Sequence, residues 1–170
     1  SIAAHGLVPK NERDTRWVLA FLNSEPVRLL LKVINPNRFF QANYVKLLPV
    51  PRFSADQKLQ LENFAQKSLS LSLDYISGDE CSRYFMKHWC FDFIKERDPI
   101  EAAANHIQEL AKSLQGLKAQ VDGVVQSAYG MSDHDLKLLQ NRVGASTAQK
   151  LPGDASVLKD GRPYIAATLV

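Results

Sequence analysis

Two cysteines in 170 residues, Cys81 and Cys90, are too few for a disulfide framework and fit a protein of a reducing compartment. No staple is required either, because a domain of this length buries about 70% of the surface its unfolded chain exposes. No apolar run approaches the roughly 18 residues of a membrane span. The opening Ser1-Ile2-Ala3-Ala4-His5-Gly6 has neither the charged lead nor the apolar core of a secretory signal. These absences predict a cytoplasmic protein that makes no use of a membrane. A starting methionine is missing too, and the chain stops on the apolar Ile165-Ala166-Ala167-Thr168-Leu169-Val170, so it reads as a piece of something longer.

The usual signatures of catalysis are also missing. There is no Gly-x-Gly-x-x-Gly, no Walker lysine loop, no His-Glu-x-x-His and no Gly-x-Ser-x-Gly. Cys81, His88 and Cys90 share one short window, but Cys-x(8)-Cys is not a zinc spacing and a fourth ligand is lacking, so no metal is expected. The carboxylate pairs Asp79/Glu80 and Asp133/Asp135 sit where helices begin and read as caps. Asn35-Pro36-Asn37-Arg38 resembles the Asn-Pro-Pro-Tyr signature of amino-methyltransferases but lacks the second proline and the stacking aromatic, which excludes it as a catalytic site. No catalytic residue is assigned.

Charge, by contrast, is informative through its distribution. Residues 1–52 hold eight Lys and Arg against three Asp and Glu, while residues 53–100 hold six against eight and the remainder is balanced at seven each. The whole excess of +3 is therefore attributable to the first third. Attraction to phosphates acts over about 8 Å at physiological salt, so a local excess counts for more than the total. Arg28 and Lys32 lie four apart on one helix face. The following stretch, with Asn37, Arg38, Gln41, Asn43 and Lys46, mixes the side chains that meet phosphates and base edges. These seven are the candidate DNA contacts.

Periodicity predicts a mainly α chain. Trp17, Val18, Phe21 and Leu22 have helical spacing, and Ser24-Glu25-Pro26 reads as the cap and first turn of a second helix through Ile34. The proline-bounded Phe39-Phe40-Gln41 and Tyr44 to Pro51 predict a small β element at about residues 39–50. Ser54-Ala55-Asp56-Gln57 is a capping box that opens a helix to about Ile76, and a further aromatic helix is expected from Asp79 to near Arg97. The strongest signal follows. Ile100, Ile107, Leu114, Val121 and Ala128 recur every seven residues, as do Ala103, Leu110, Leu117 and Val124. This heptad predicts one helix of roughly 30 residues and about 45 Å in an antiparallel long-helix bundle. Gly130 ends it, and Ser132 caps a last short helix that finishes by Gly144. The tail 145–170 is expected to be irregular and partly extended.

The block from Trp17 through Leu22-Asn23-Ser24 to Lys32, followed by Phe39-Phe40-Gln41 and Leu48-Pro49-Val50-Pro51 and then a long helix, resembles the C-terminal target-recognition region of restriction-modification proteins. These include Eco57I-like, type IIG and BREX-type adenine-specific DNA methyltransferases and the conserved helices of type I specificity subunits. Val121-Asp122 to Ala128-Tyr129-Gly130-Met131 with Asp133 is similar to a valine, tyrosine-glycine-leucine, acidic ending in the same group, with Met131 in place of leucine. The resemblance covers about residues 15–144. It implies a domain plan of 1–52 as the end of a recognition domain, 53–144 as a helical spacer and 145–170 as a tail that matches nothing.

The same resemblance implies double-stranded DNA as partner and a parent enzyme of bacterial defence, which carries a nuclease in some members. Methyl transfer from S-adenosylmethionine would occur in an upstream catalytic domain, and this segment itself would hold no cofactor. The alternative is a coiled-coil interaction module, a homodimer pairing through the heptad helix over 100–128.

Overall fold

The computed structural model describes residues 9–35 and 42–143. These residues are mainly helical and include no strand: α1 Thr15–Leu22, α2 Glu25–Ile34, α3 Ala42–Val45, α4 Ala55–Ser77, α5 Pro99–Tyr129 and α6 Asp133–Val143, with single 3-10 turns at Glu12–Asp14 and Trp89–Phe91. Among them no helix is long and apolar enough to cross a membrane. The described residues divide into two compact units, one of 9–35, 42–66 and 118–143 and the other of 67–117, so α4 and α5 each contribute a part to either unit.

The first unit is built on the amphipathic faces of four helices. Ala20 and Phe21 of α1, Val27 of α2, Leu61 and Ala65 of α4, and Val121 and Val125 of α5 form one buried cluster, joined by Leu48 from the loop before α4. Phe53 packs its ring on Trp17 and Phe21, with centroids 5.6 and 5.5 Å away, the second edge-on as aromatic quadrupoles prefer. Helix α6 lies against α2, and so does the short α3.

Helix boundaries follow local chemistry. The amide of Gln57 donates to Ser54 Oγ at 3.1 Å while the Ser54 amide donates to Gln57 Oε1 at 2.9 Å, the reciprocal capping box expected from those residues. Asp98 Oδ1 accepts from the Glu101 amide at 3.0 Å and starts α5. Gly130 ends that helix with φ +66°, a left-handed conformation that costs glycine nothing. Ser132 and Asp135 open α6: the Asp135 amide donates to Ser132 Oγ, and the Ser132 amide donates back to the Asp135 carboxylate.

Two expectations are corrected. The small β element at 39–50 is not formed among its described residues, since Ala42–Val45 is a helical turn and the amides of Leu47 and Leu48 donate to the carbonyls of Tyr44 and Val45. Prolines 49 and 51 lack the amide hydrogens that a strand ladder requires, and so only an irregular arm follows. Residues 39–41, and the tail from 144 onward, lie outside the described residues.

The second correction concerns 79–97, a turn-rich segment in place of a helix. Asp79 Oδ1 and Ser82 Oγ take the amides of Cys81 and Tyr84, and the Met86 amide returns to the Ser77 carbonyl. Short polar side chains here offer the backbone a local alternative to the helix. The turns bring Trp89 onto Gly78, where an added Cβ would lie 2.3 Å from the indole, so a close approach is what demands glycine. Trp89 and Cys90 join Ala103 and Ile107 of α5 as the core of the second unit, flanked by Tyr75, Phe93 and Ile100.

Candidate nucleic-acid interface

Helix α2 carries the first two candidate DNA contacts, and its start is fixed in an unexpected way. Ser24 occupies the cap position with extended backbone, but its hydroxyl donates backward to the Phe21 carbonyl at 2.7 Å. The acceptor for the Glu25 amide is instead Asp122 Oδ1, at 2.7 Å, reaching across from α5. The other oxygen of Asp122 accepts from Lys118 Nζ at 2.9 Å, and Lys118 also stands 3.8 Å from Glu25.

This network occupies Arg28. Its guanidinium grips the Glu25 carboxylate through both Nε, at 2.7 Å, and Nη2, a fork on one carboxylate three residues earlier. The hydrogen bond from Arg28 holds Glu25 below the ordinary carboxylate range, and the same bond pushes Arg28 upward. A half-buried arginine in this state is an internal cation more than a free phosphate contact.

Lys32 lies in the last turn of α2, where a cation also meets the negative end of the helix dipole. Asn43 falls in α3. Lys46, in the turn just after α3, is exposed, and neither lysine has an ion-pair partner among the described residues. Because α3 packs on α2, Lys32 and Lys46 lie in the last turn of one helix and just past the end of another that touches it. Asn37, Arg38 and Gln41 lie outside the described residues.

Arg52, exposed and without an ion pair among the described residues, was not singled out from the sequence, although the basic count of the first third includes it. Two other cations of the region are engaged. Arg16 stands 3.5 Å from Glu62, and the Lys58 ammonium sits 4.9 Å above the Trp17 ring.

The second unit offers contrasting chemistry. A shallow depression lined by Glu96, Arg97, Asp98, Glu101, Ala102 and Asn105 carries three carboxylates against one guanidinium and repels phosphate. Cys90 is buried, which pushes its thiol up, away from the thiolate a nucleophile needs. His88 spends Nδ1 accepting the Cys90 amide at 3.3 Å. Compared with protein-family models, curated proteins and solved structures, the chain matches none.

Proposed function

We propose that this chain is the DNA-binding specificity and spacer region of a DNA adenine methyltransferase of the restriction-modification type. It acts in the cytoplasm and is not catalytic itself. The observation that carries the reading is the placement of Lys32 and Lys46, both without ion-pair partners among the described residues, in α2 and in the turn just after α3, two helices in contact within the basic part of the chain. Methyl transfer from S-adenosylmethionine belongs to a catalytic domain elsewhere in the parent protein. The long-helix bundle serves as spacer, α5 alone running 31 residues, which is about 46 Å at about 1.5 Å per residue.

The heptad stripe supports this over the coiled-coil reading. Ala103 and Ile107 are buried in one intrachain cluster and Val121 in the other, with Val124 packed against it, so a second chain would compete for surface already used. Fluorescence anisotropy of the 170-residue chain on a labelled duplex over a salt series tests the proposal. A log–log slope of two or more is expected, and Lys46→Ala, which neutralises one phosphate fewer, should reduce it by about 0.9. A flat salt response, or a helical dimer in sedimentation indifferent to Lys46→Ala, overturns it.

A further inference from the structure

The arm between α3 and α4 presents apolar side chains to solvent. Leu47 and Val50 keep 66% and 59% of their surface exposed. They do so on a braced backbone. Leu48 between them is buried in the core of the first unit, the Leu47 and Leu48 amides close turns onto Tyr44 and Val45, and the Tyr129 hydroxyl donates to the Pro49 carbonyl at 2.6 Å. Pro49 and Pro51 each fix one backbone torsion, so little chain entropy is left to lose when the arm meets a partner. On either side stand Lys46 and Arg52, exposed and without ion-pair partners among the described residues.

We infer that Leu47 and Val50 form a wedge that enters the minor groove of duplex DNA and partly unstacks a base step, with Lys46 and Arg52 holding the phosphates alongside. This rests on the DNA-binding reading above and deepens it. Stiff apolar tips between cations match what groove-kinking proteins present: the apolar group replaces stacking surface while the cations neutralise the phosphates that a kink crowds together. A purely apolar protein partner would gain nothing from the flanking charges and would have to bury them unpaired.

The test uses the 170-residue chain in excess over a duplex with 2-aminopurine at a central thymine–adenine step, the kind of step that unstacks most readily. Binding of the parent chain is expected to raise the fluorescence several-fold. Leu47→Ser with Val50→Ser, both exposed and so neutral for folding, should bind about tenfold more weakly with the salt slope unchanged and leave the fluorescence at the level of free duplex. Lys46→Ala with Arg52→Ala should instead lower the slope by about 1.8. Binding by the parent without a fluorescence rise, or a rise retained by the serine variant, overturns the wedge and leaves DNA binding standing. Failure to bind any duplex overturns both. A serine variant that loses self-association in sedimentation while its DNA binding is unchanged makes the arm a protein contact and also overturns the wedge.

Discussion

Replacing Asp122 by alanine removes the cap of a helix almost a hundred residues earlier in the chain. Asp122 Oδ1 is the acceptor for the Glu25 amide, and the aspartate side chain is 21% exposed, so water replaces it poorly. Loss of a helix cap costs about 1 kcal/mol. A hydrogen bond to a charged group contributes about 1.5–3 kcal/mol, and the accompanying Lys118 pair at i,i+4 adds about 0.3–0.5 kcal/mol. These overlap, because the cap is itself the charged bond, and the expected loss is about 2 kcal/mol. Asp122→Asn retains an acceptor of the same shape and should lose about half as much. The assay is urea unfolding at neutral pH, followed through Trp17 in a Trp89→Phe background so that only the first unit reports. With a slope of about 2 kcal/mol/M the midpoint should fall by about 1 M in Asp122→Ala, with the slope itself unchanged. A loss below about 0.5 kcal/mol, the range of ordinary surface substitutions, would show that Asp122 does not cap α2. Equal losses in the alanine and asparagine variants would place the whole effect in the charge.

Gly116 and Gly123 lie inside α5 with nothing within 4 Å of an added Cβ, so alanine at each should stabilise the chain by up to about 1 kcal/mol, read as a rise in melting temperature. Gly78→Ala runs the other way: its Cβ would meet the Trp89 indole at 2.3 Å, and overpacking of about 1–3 kcal/mol should appear as early unfolding of the second unit, followed by Trp89 fluorescence. Burial pushes the Tyr129 phenol up to about 12 from an ordinary 10.0. Between those values the unfolded chain releases the proton and the folded chain keeps it, so stability is intact below pH 10.0 and lost as pH rises toward 12. Tyr129→Phe should flatten that alkaline loss in urea titrations at stepped pH, at a cost of about 1 kcal/mol near neutrality.

What the sequence disclosed depended on how local the cause was. The capping boxes of α4 and α6 and the start and stop of α5 need only residues a few positions apart, and each is present as expected. Ser24 fills the residue type and position of a cap, yet its acceptor role passes to Asp122, ninety-eight positions on, which no local pattern reveals. The 79–97 segment misleads for a related reason. Its aromatics suggest a buried helix, but Asp79 and Ser82 redirect the backbone, and His88, Trp89, Cys90 and part of Phe93 are buried while Tyr84, Phe85 and Phe91 stay exposed. At residues 42–50 the apolar content is strand-like, and the prolines that bound it are what deny it a ladder. Helix α5 shows the limit of a seven-residue count. Ala111 and Val125, outside both heptad series, are buried, because a straight helix at 3.6 residues per turn drifts away from a 3.5 repeat and presents a wider stripe.

The candidate contacts divide by the same distinction, and the division moves the weight of the proposed DNA face. Arg28 and Lys32 share a helix face four residues apart, but Glu25 takes Arg28 in a forked pair that also faces Lys118 and Asp122. Offering Arg28 to a phosphate would strip the Glu25 carboxylate, 18% exposed, of its forked hydrogen bonds and leave it with Lys118 at 3.8 Å as its ion-pair partner. Losing two charge-assisted hydrogen bonds at a partly buried carboxylate costs more than one solvent-screened phosphate contact returns. Under the DNA-binding reading, then, the contacts shift along the chain from Arg28 toward Lys32, Lys46 and Arg52, none of which holds an ion pair among the described residues. The apolar arm lies between the last two of these. Arg28, the first of the candidate contacts along the sequence, is the one that holds the scaffold, and on the proposed reading Lys32, Lys46 and Arg52 are left to meet the duplex.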